Sequence, residues 1–329
     1  MKISLRLVYL LVMLPLVVLF SYYASITTNG PDYHNYLLMI ERVALKDNLI
    51  DMLLAAKDYS FGFFVYLVNP QEYTNYFLVF FYIILISTVV KFSIIPKNPV
   101  NATVFVLFYI FLLAPGLDFA AIRSLLGISF FVWYIRFGEQ KKLTGKISKI
   151  AILLFSFSSH KSLFIPFLFS TKIFTKTLRL FGYFGFACVF MVSVPIVVII
   201  TMKMFPEYRD YYFGPATSTL SILYNSFYVL SSLLLVFFSR YFIFDDIGKR
   251  LLTVSYGLVL FGFFSFPSTI LSGRILEFFA FIQLVLLFNV RIDIENYKKF
   301  VPLVWFLSLL FLSIPLVRRA FLLDLWAVY

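Results

Sequence analysis

The chain has 329 residues, of which 62% are hydrophobic and only 13% charged, with 44 Phe and 22 Tyr. No water-soluble globular domain is this apolar, so residues 1–329 read as a single integral membrane domain, all-α and polytopic. The formal net charge of +12 would suit nucleic acid in a soluble protein; here it reports orientation in a membrane, and no nucleic-acid partner is expected.

A transmembrane helix needs about 20 apolar residues. The first run, Leu5 to Ala24, follows the basic Lys2 and Arg6 in the manner of a signal peptide. Tyr22 and Tyr23 stand where small residues would mark cleavage, so the run is expected to stay as the first span. An external polar segment, about 25–72, follows. Asn29-Gly30-Pro31 marks a turn in it, and Ile40, Val43, Ala44, Leu49, Met52, Leu53 and Ala56 predict an interfacial amphipathic helix over 40–56.

Runs at 73–90, 100–114 and 122–135 read as spans. Two short runs, 150–159 and 163–169, flank His160. Neither crosses about 30 Å of hydrocarbon upright, so they either meet below the outer surface or form a re-entrant segment, with Pro166 kinking the second. A span at 181–200, a second external segment at 203–218, and spans at 220–238, 251–266, 275–290 and 300–317 bring the count to about eleven.

Eighteen of the 28 lysines and arginines then fall on one set of connections, the set that the positive-inside bias assigns to the cytoplasm. The amino terminus is therefore expected inside and the carboxyl terminus outside. In this layout Lys91 is an inner residue and Asp118 an outer one.

Three groups able to carry positive charge, Arg123, His160 and Arg274, sit at breaks in apolar sequence on the predicted outer side. A charge at the bilayer centre costs about 2.5–3.5 kcal/mol, less near a helix end where a long side chain snorkels. Arg123 is either an anion ligand or a local anchor paired with Asp118. Arg274 is either an anion ligand, with Glu277 orienting it, or half of a structural i, i+3 salt bridge to Glu277. Two guanidinium forks suit a diphosphate, because each offers planar paired donors that keep their charge.

His160, in Ser158-Ser159-His160-Lys161-Ser162, is either a packing residue or a group that takes or positions a proton. Asp32 and Tyr36, in Gly30-Pro31-Asp32-Tyr33-His34-Asn35-Tyr36, suit a sugar as well as they suit an exposed turn. Arg209 is a basic group of the second external segment and a candidate substrate contact. Asp245-Asp246 reads as a solvated pair.

One cysteine, Cys188, and two histidines, His34 and His160, leave neither an intrachain disulfide nor a cysteine or histidine metal cluster. Walker, CxxC and HExxH motifs are absent, so no cofactor and no metal is expected.

In order, Gly30–Tyr36, Tyr59-Ser60-Phe61-Gly62-Phe63-Phe64, Ala121-Ile122-Arg123-Ser124-Leu125-Leu126-Gly127, Ser159-His160-Lys161-Ser162-Leu163 and Gly273-Arg274-Ile275-Leu276-Glu277 resemble the EpsG-like branch of the Wzy-type polysaccharide polymerases. The chain departs from that pattern where the family usually has Pro-Gly, at Ser60-Phe61-Gly62, and where it usually has Arg-Gln, at Arg123-Ser124.

The resemblance implies a GT-C-like inverting glycosyltransferase of the bacterial cytoplasmic membrane. Such an enzyme joins oligosaccharide repeat units carried on undecaprenyl diphosphate at the outer face. It implies catalytic roles for Arg123, His160 and Arg274 and substrate contacts at Asp32, Tyr36, Arg209 and Glu277. Membrane lipid, a chain-length regulator and a flippase are the implied partners. Two alternatives stand beside it. A flippase or other transporter would carry midplane charges and internal repeats, which are not visible here. An O-antigen ligase would share the chemistry but use another acceptor.

Overall fold

Long aliphatic and aromatic runs leave backbone groups in lipid no partner but each other, and helix is the local solution. The computed structural model describes residues 5–26, 33–56, 58–70, 75–94, 99–118, 121–137, 143–206, 214–292 and 300–322. The chain is an all-α polytopic membrane protein.

In chain order the helices are α1 (Leu5–Ile26), α2 (Tyr33–Ala44), α3 (Leu49–Ala55), α4 (Tyr59–Val68), α5 (Tyr76–Ser93) and α6 (Pro99–Phe108). A π-helical turn, Tyr109–Leu113, joins α6 to α7 (Ala114–Leu117). There follow α8 (Ile122–Arg136), α9 (Leu143–Ser159), a 3₁₀ turn (Lys161–Leu163), α10 (Phe164–Phe169), α11 (Lys172–Met204), α12 (Thr219–Phe237), α13 (Asp246–Phe264), α14 (Thr269–Asn289) and α15 (Val301–Leu322).

Among the described residues, five helices are long and apolar enough to cross a membrane: α11, α12, α13, α14 and α15. Shorter apolar helices lie at Leu14–Ile26, Tyr59–Val68, Tyr76–Lys91 and Asn101–Leu117. The run at 163–169 is different. Its helix α10 has 6 residues, about 9 Å of rise, and cannot cross the hydrocarbon.

The chain forms two compact units. The first holds residues up to Leu163 with the end of α15 from Arg319, and the second is Phe164–Arg318. In the first, α5 packs on α1 and α8, and α8 packs on α9. Helices α2, α3 and α4 form a cluster of their own that touches α5 and α9.

Where one amphipathic helix was expected over 40–56, there are two. The first ends at Ala44, and Asn48 caps α3, its side chain accepting from the Asp51 N–H at 3.0 Å. Gly62 of α4 lies against α3 so closely that a Cβ there would stand 2.9 Å from the Met52 carbonyl oxygen and 2.9 Å from the Ala56 Cβ. That contact accounts for the glycine in the second motif.

In the second unit α13 and α14 form a tightly packed hairpin, with α10, α11 and α12 against α13. A polar seam runs through its apolar interior. Ser255 donates to the Gln283 side-chain oxygen at 2.6 Å, Gln283 donates to the Ser231 carbonyl at 3.2 Å, and the Ser231 and Ser308 hydroxyls each donate to the other's carbonyl at 2.7 Å. Such bonds hold helices together where the hydrophobic effect between helices is weak.

Asp245 and Asp246 are both exposed, as expected of a solvated pair, and Asp245 also caps α13, accepting from the Gly248 N–H at 2.7 Å. A two-residue ribbon, Phe242–Ile243 against Arg291–Ile292, joins the connections at that end.

One expectation is overturned. Lys91 and Asp118, assigned to opposite sides, form an ion pair at 2.8 Å and are both buried. The Tyr109 hydroxyl completes the cluster, receiving a bond from Lys91 and donating one to Asp118, each at 2.5 Å. Placing Lys91 on an inner connection separated it from Asp118: with a carboxylate at hand, a lysine can be buried inside an apolar bundle.

Candidate functional site

Helix α8 opens with Ile122, so Arg123 stands in its first turn. A cation there opposes the positive end of the helix dipole, and an offsetting carboxylate is needed. The sequence offered Asp118, five residues away. The fold supplies Asp58 instead, 65 residues away, whose Oδ2 accepts from Arg123 Nη1.

Asp58 is placed for a different duty. It is the N-cap residue of α4, yet its side chain makes no capping bond. A capping carboxylate is worth about 1 kcal/mol to a helix, so its diversion to Arg123 is a local cost accepted for the ion pair. Its backbone is held firmly: its N–H donates to the Ala56 carbonyl at 2.7 Å, and its own carbonyl accepts from Phe61 and Gly62 at 3.1 and 3.2 Å.

Under the guanidinium lies Tyr36, its ring centroid 5.3 Å from Arg123 Cζ. Tyr36 is 3% exposed, stacks on Phe61 at 5.9 Å and meets Phe80 edge-on at 6.2 Å. A ring packed among Phe61, Phe80 and Arg123 is a seat for the arginine.

One turn beyond Arg123, Gly127 brings α8 against the break that carries His160. A Cβ at Gly127 would fall 2.2 Å from Leu163 Cδ1, 3.1 Å from the Ser156 carbonyl oxygen and 3.4 Å from Ser159 Cβ, and the Ser156 hydroxyl donates to the Gly127 carbonyl at 2.8 Å. The amino-terminal end of α8 and the carboxyl-terminal end of α9 therefore lie side by side. Arg123 and His160, predicted separately, belong to this one end of the pair.

His160 is half-buried and follows the last residue of α9. Its Nδ1 accepts from the Ser162 N–H at 3.3 Å and lies 2.5 Å from the Ser162 hydroxyl. A backbone N–H can only donate, so Nδ1 is the acceptor and the neutral ring carries its proton on Nε2. In that tautomer Nε2–H is the donor of the ring.

Arg274 and Glu277 belong to the second unit, on the early turns of α14. Arg274 is half-buried and Glu277 buried. They stand one helical turn apart on α14. Residues 214–218 are fastened nearby. The Thr269 N–H and hydroxyl donate to the Pro215 carbonyl at 2.9 and 2.6 Å, and the Thr217 N–H to the Phe266 carbonyl at 2.9 Å. Gly214, at φ 64°, makes the turn there. Asp32 and Arg209 lie outside the described residues.

Asp58 escaped the sequence reading. Its signal was present, since with Lys57 it stands at the start of an apolar run, Tyr59–Val68, the same kind of break that singled out Arg123. Among the described residues no group of three histidine, cysteine or carboxylate side chains gathers that would hold a metal ion.

Compared with known proteins, residues 6–327 match the model of the EpsG family. Neither a curated protein nor a solved structure matches the chain.

Proposed function

The chain belongs to the EpsG family, and from that premise we propose that it is a polysaccharide polymerase, an inverting glycosyltransferase acting at the outer face of the bacterial cytoplasmic membrane. Its substrates are oligosaccharide repeat units on undecaprenyl diphosphate. A hydroxyl of one unit attacks the anomeric carbon of the growing chain, a C–O bond forms with inversion, and the bond to the diphosphate breaks. Undecaprenyl diphosphate leaves with the electron pair, and the hydroxyl proton passes to solvent or to a carboxylate.

The observation that carries this reading is Arg123, a guanidinium stacked on Tyr36 and bonded to Asp58, next to the His160 break. A fixed cation beside the departing diphosphate stabilises charge as it develops and needs no reorganisation. Arg274 is the corresponding cation of the second unit. His160, donating through Nε2, positions an acceptor or phosphate oxygen and does not remove the proton. This scheme uses neither metal nor nucleotide. Its partners are a flippase that delivers the units and a regulator that sets chain length.

Purified protein reconstituted with undecaprenyl-diphosphate-linked repeat units tests the reading. The expected products are a ladder of multiples of the repeat and free undecaprenyl diphosphate. Translocation without elongation would make the protein a transporter, and transfer only to a non-repeat acceptor would make it a ligase.

A further inference from the structure

We propose that Asp58 is a positioning residue for this reaction, acting through Arg123 to fix the orientation in which its guanidinium meets a lipid-linked diphosphate; the inference rests on the polymerase reading. A planar fork has two orientations to fix, its plane and its rotation within that plane. The Tyr36 ring, 5.3 Å from Arg123 Cζ, sets the plane. The Asp58 carboxylate on Nη1 sets the rotation.

Both supports are held by neighbours of their own. Tyr36 is held by Phe61 and Phe80. Asp58 sits in a turn bonded to Ala56, Phe61 and Gly62, and Gly62 locks α4 onto the backbone of α3. Three segments far apart in sequence thus converge on one side chain. The carboxylate that completes the set leaves its own helix uncapped.

Offsetting the charge of Arg123 needs only a carboxylate nearby; here the carboxylate is bonded to one nitrogen of the fork while a ring lies under its plane. What the arrangement adds is a cation with a single orientation, which matters most when charge builds on the leaving group. The undecaprenyl diphosphate released carries more negative charge than the sugar-linked form. Orientation should therefore affect turnover and product binding more than substrate KM.

The test uses the full-length protein in proteoliposomes, with Asp58→Asn, Asp58→Glu, Arg123→Gln and the Asp58→Asn/Arg123→Gln double variant. Each is checked for unaltered thermal unfolding. Asp58→Asn should lower kcat by about 100-fold with little change in KM. Binding of undecaprenyl diphosphate to the purified protein should weaken roughly tenfold in the same variant. Asp58→Glu should recover part of both, and the double variant should be no slower than Arg123→Gln alone.

Normal turnover in Asp58→Asn would overturn the proposal, and so would tighter diphosphate binding, which would make Asp58 a competitor for Arg123. Losses that multiply in the double variant would overturn it too, because Asp58 would then act on the reacting atoms itself. If wild type binds undecaprenyl diphosphate in an Asp58-dependent way yet makes no polymer, the polymerase reading fails while the orienting role stands. If it neither binds nor polymerises, both fail.

Discussion

Arg123 illustrates what a single side chain needs in a membrane protein: a charge partner, a packing surface and a reason to be there. Lysine at this position would keep the charge but lose the flat face against Tyr36 and the paired donors of the fork. Arg123→Lys should therefore accumulate normally and lose about 100- to 1,000-fold in polymer formation, the usual effect of losing one donor to developing charge. Polymer near the wild-type amount would mean that the arginine only anchors α8.

For His160 the Ser162 N–H on Nδ1 leads to a specific expectation. A glutamine amide can copy an Nε2–H donor but not a base, so His160→Gln should retain long polymer while His160→Ala leaves single repeat units on lipid. Failure of both variants alike, with protein levels unchanged, would restore the histidine to proton transfer.

Charges at breaks in apolar sequence were legible because lipid makes each of them costly. Their partners were not legible. Nothing in the order of residues says that Arg123 meets Asp58 across 65 positions and leaves Asp118, five positions away, to Lys91.

At the scale of elements, hydrophobic runs foretold most helices, because the same absence of water that selects apolar side chains also obliges the backbone to bond to itself. Where the reading erred, a local polar signal or a tertiary partner decided. The expected helix over 40–56 stops at Ala44 and restarts at Leu49 under the Asn48 cap. The aromatic stretch Tyr59–Val68, counted within a polar segment, is a helix because α2, α3, α5 and α9 supply it a surface.

Lys91, Tyr109 and Asp118 tie α5 to the π-helical turn and to the residues just before α8. The three are buried together, so removing one charge strands the other. Lys91→Met should cost about 3–5 kcal/mol and appear as a large drop in melting temperature and in membrane-inserted protein. Replacing all three with apolar residues, Lys91→Met with Tyr109→Phe and Asp118→Leu, should recover most of that loss. A triple variant as unstable as Lys91→Met alone would show that the cluster contributes more than its own neutralisation.

For the molecule as a whole, the basic residues remain the best guide to orientation, and the burial of Lys91 removes only one member of the inner set. Helix α12 offers a clean test, since its 19 residues rise about 28 Å, close to one hydrocarbon thickness. Just before it, Ala216 is exposed, whereas its neighbour Thr217 is buried against the α13–α14 turn. Beyond its far end, Lys249 is exposed in the first turn of α13.

With the native thiol removed by Cys188→Ala, a membrane-impermeant maleimide applied from outside should label Ala216→Cys in intact cells. It should reach Lys249→Cys only after the membrane is opened. The physical basis is that lysines and arginines near helix ends are retained on the cytoplasmic side, and Arg240, Lys249, Arg250 and Arg291 cluster at this end of the second unit. Labelling of both sites from the same side would mean that α12 does not cross. Labelling in the reverse order would put the α13–α14 turn, and with it the helix start that carries Arg274, on the cytoplasmic face, where a polymerase of lipid-linked units delivered to the outside could not use it.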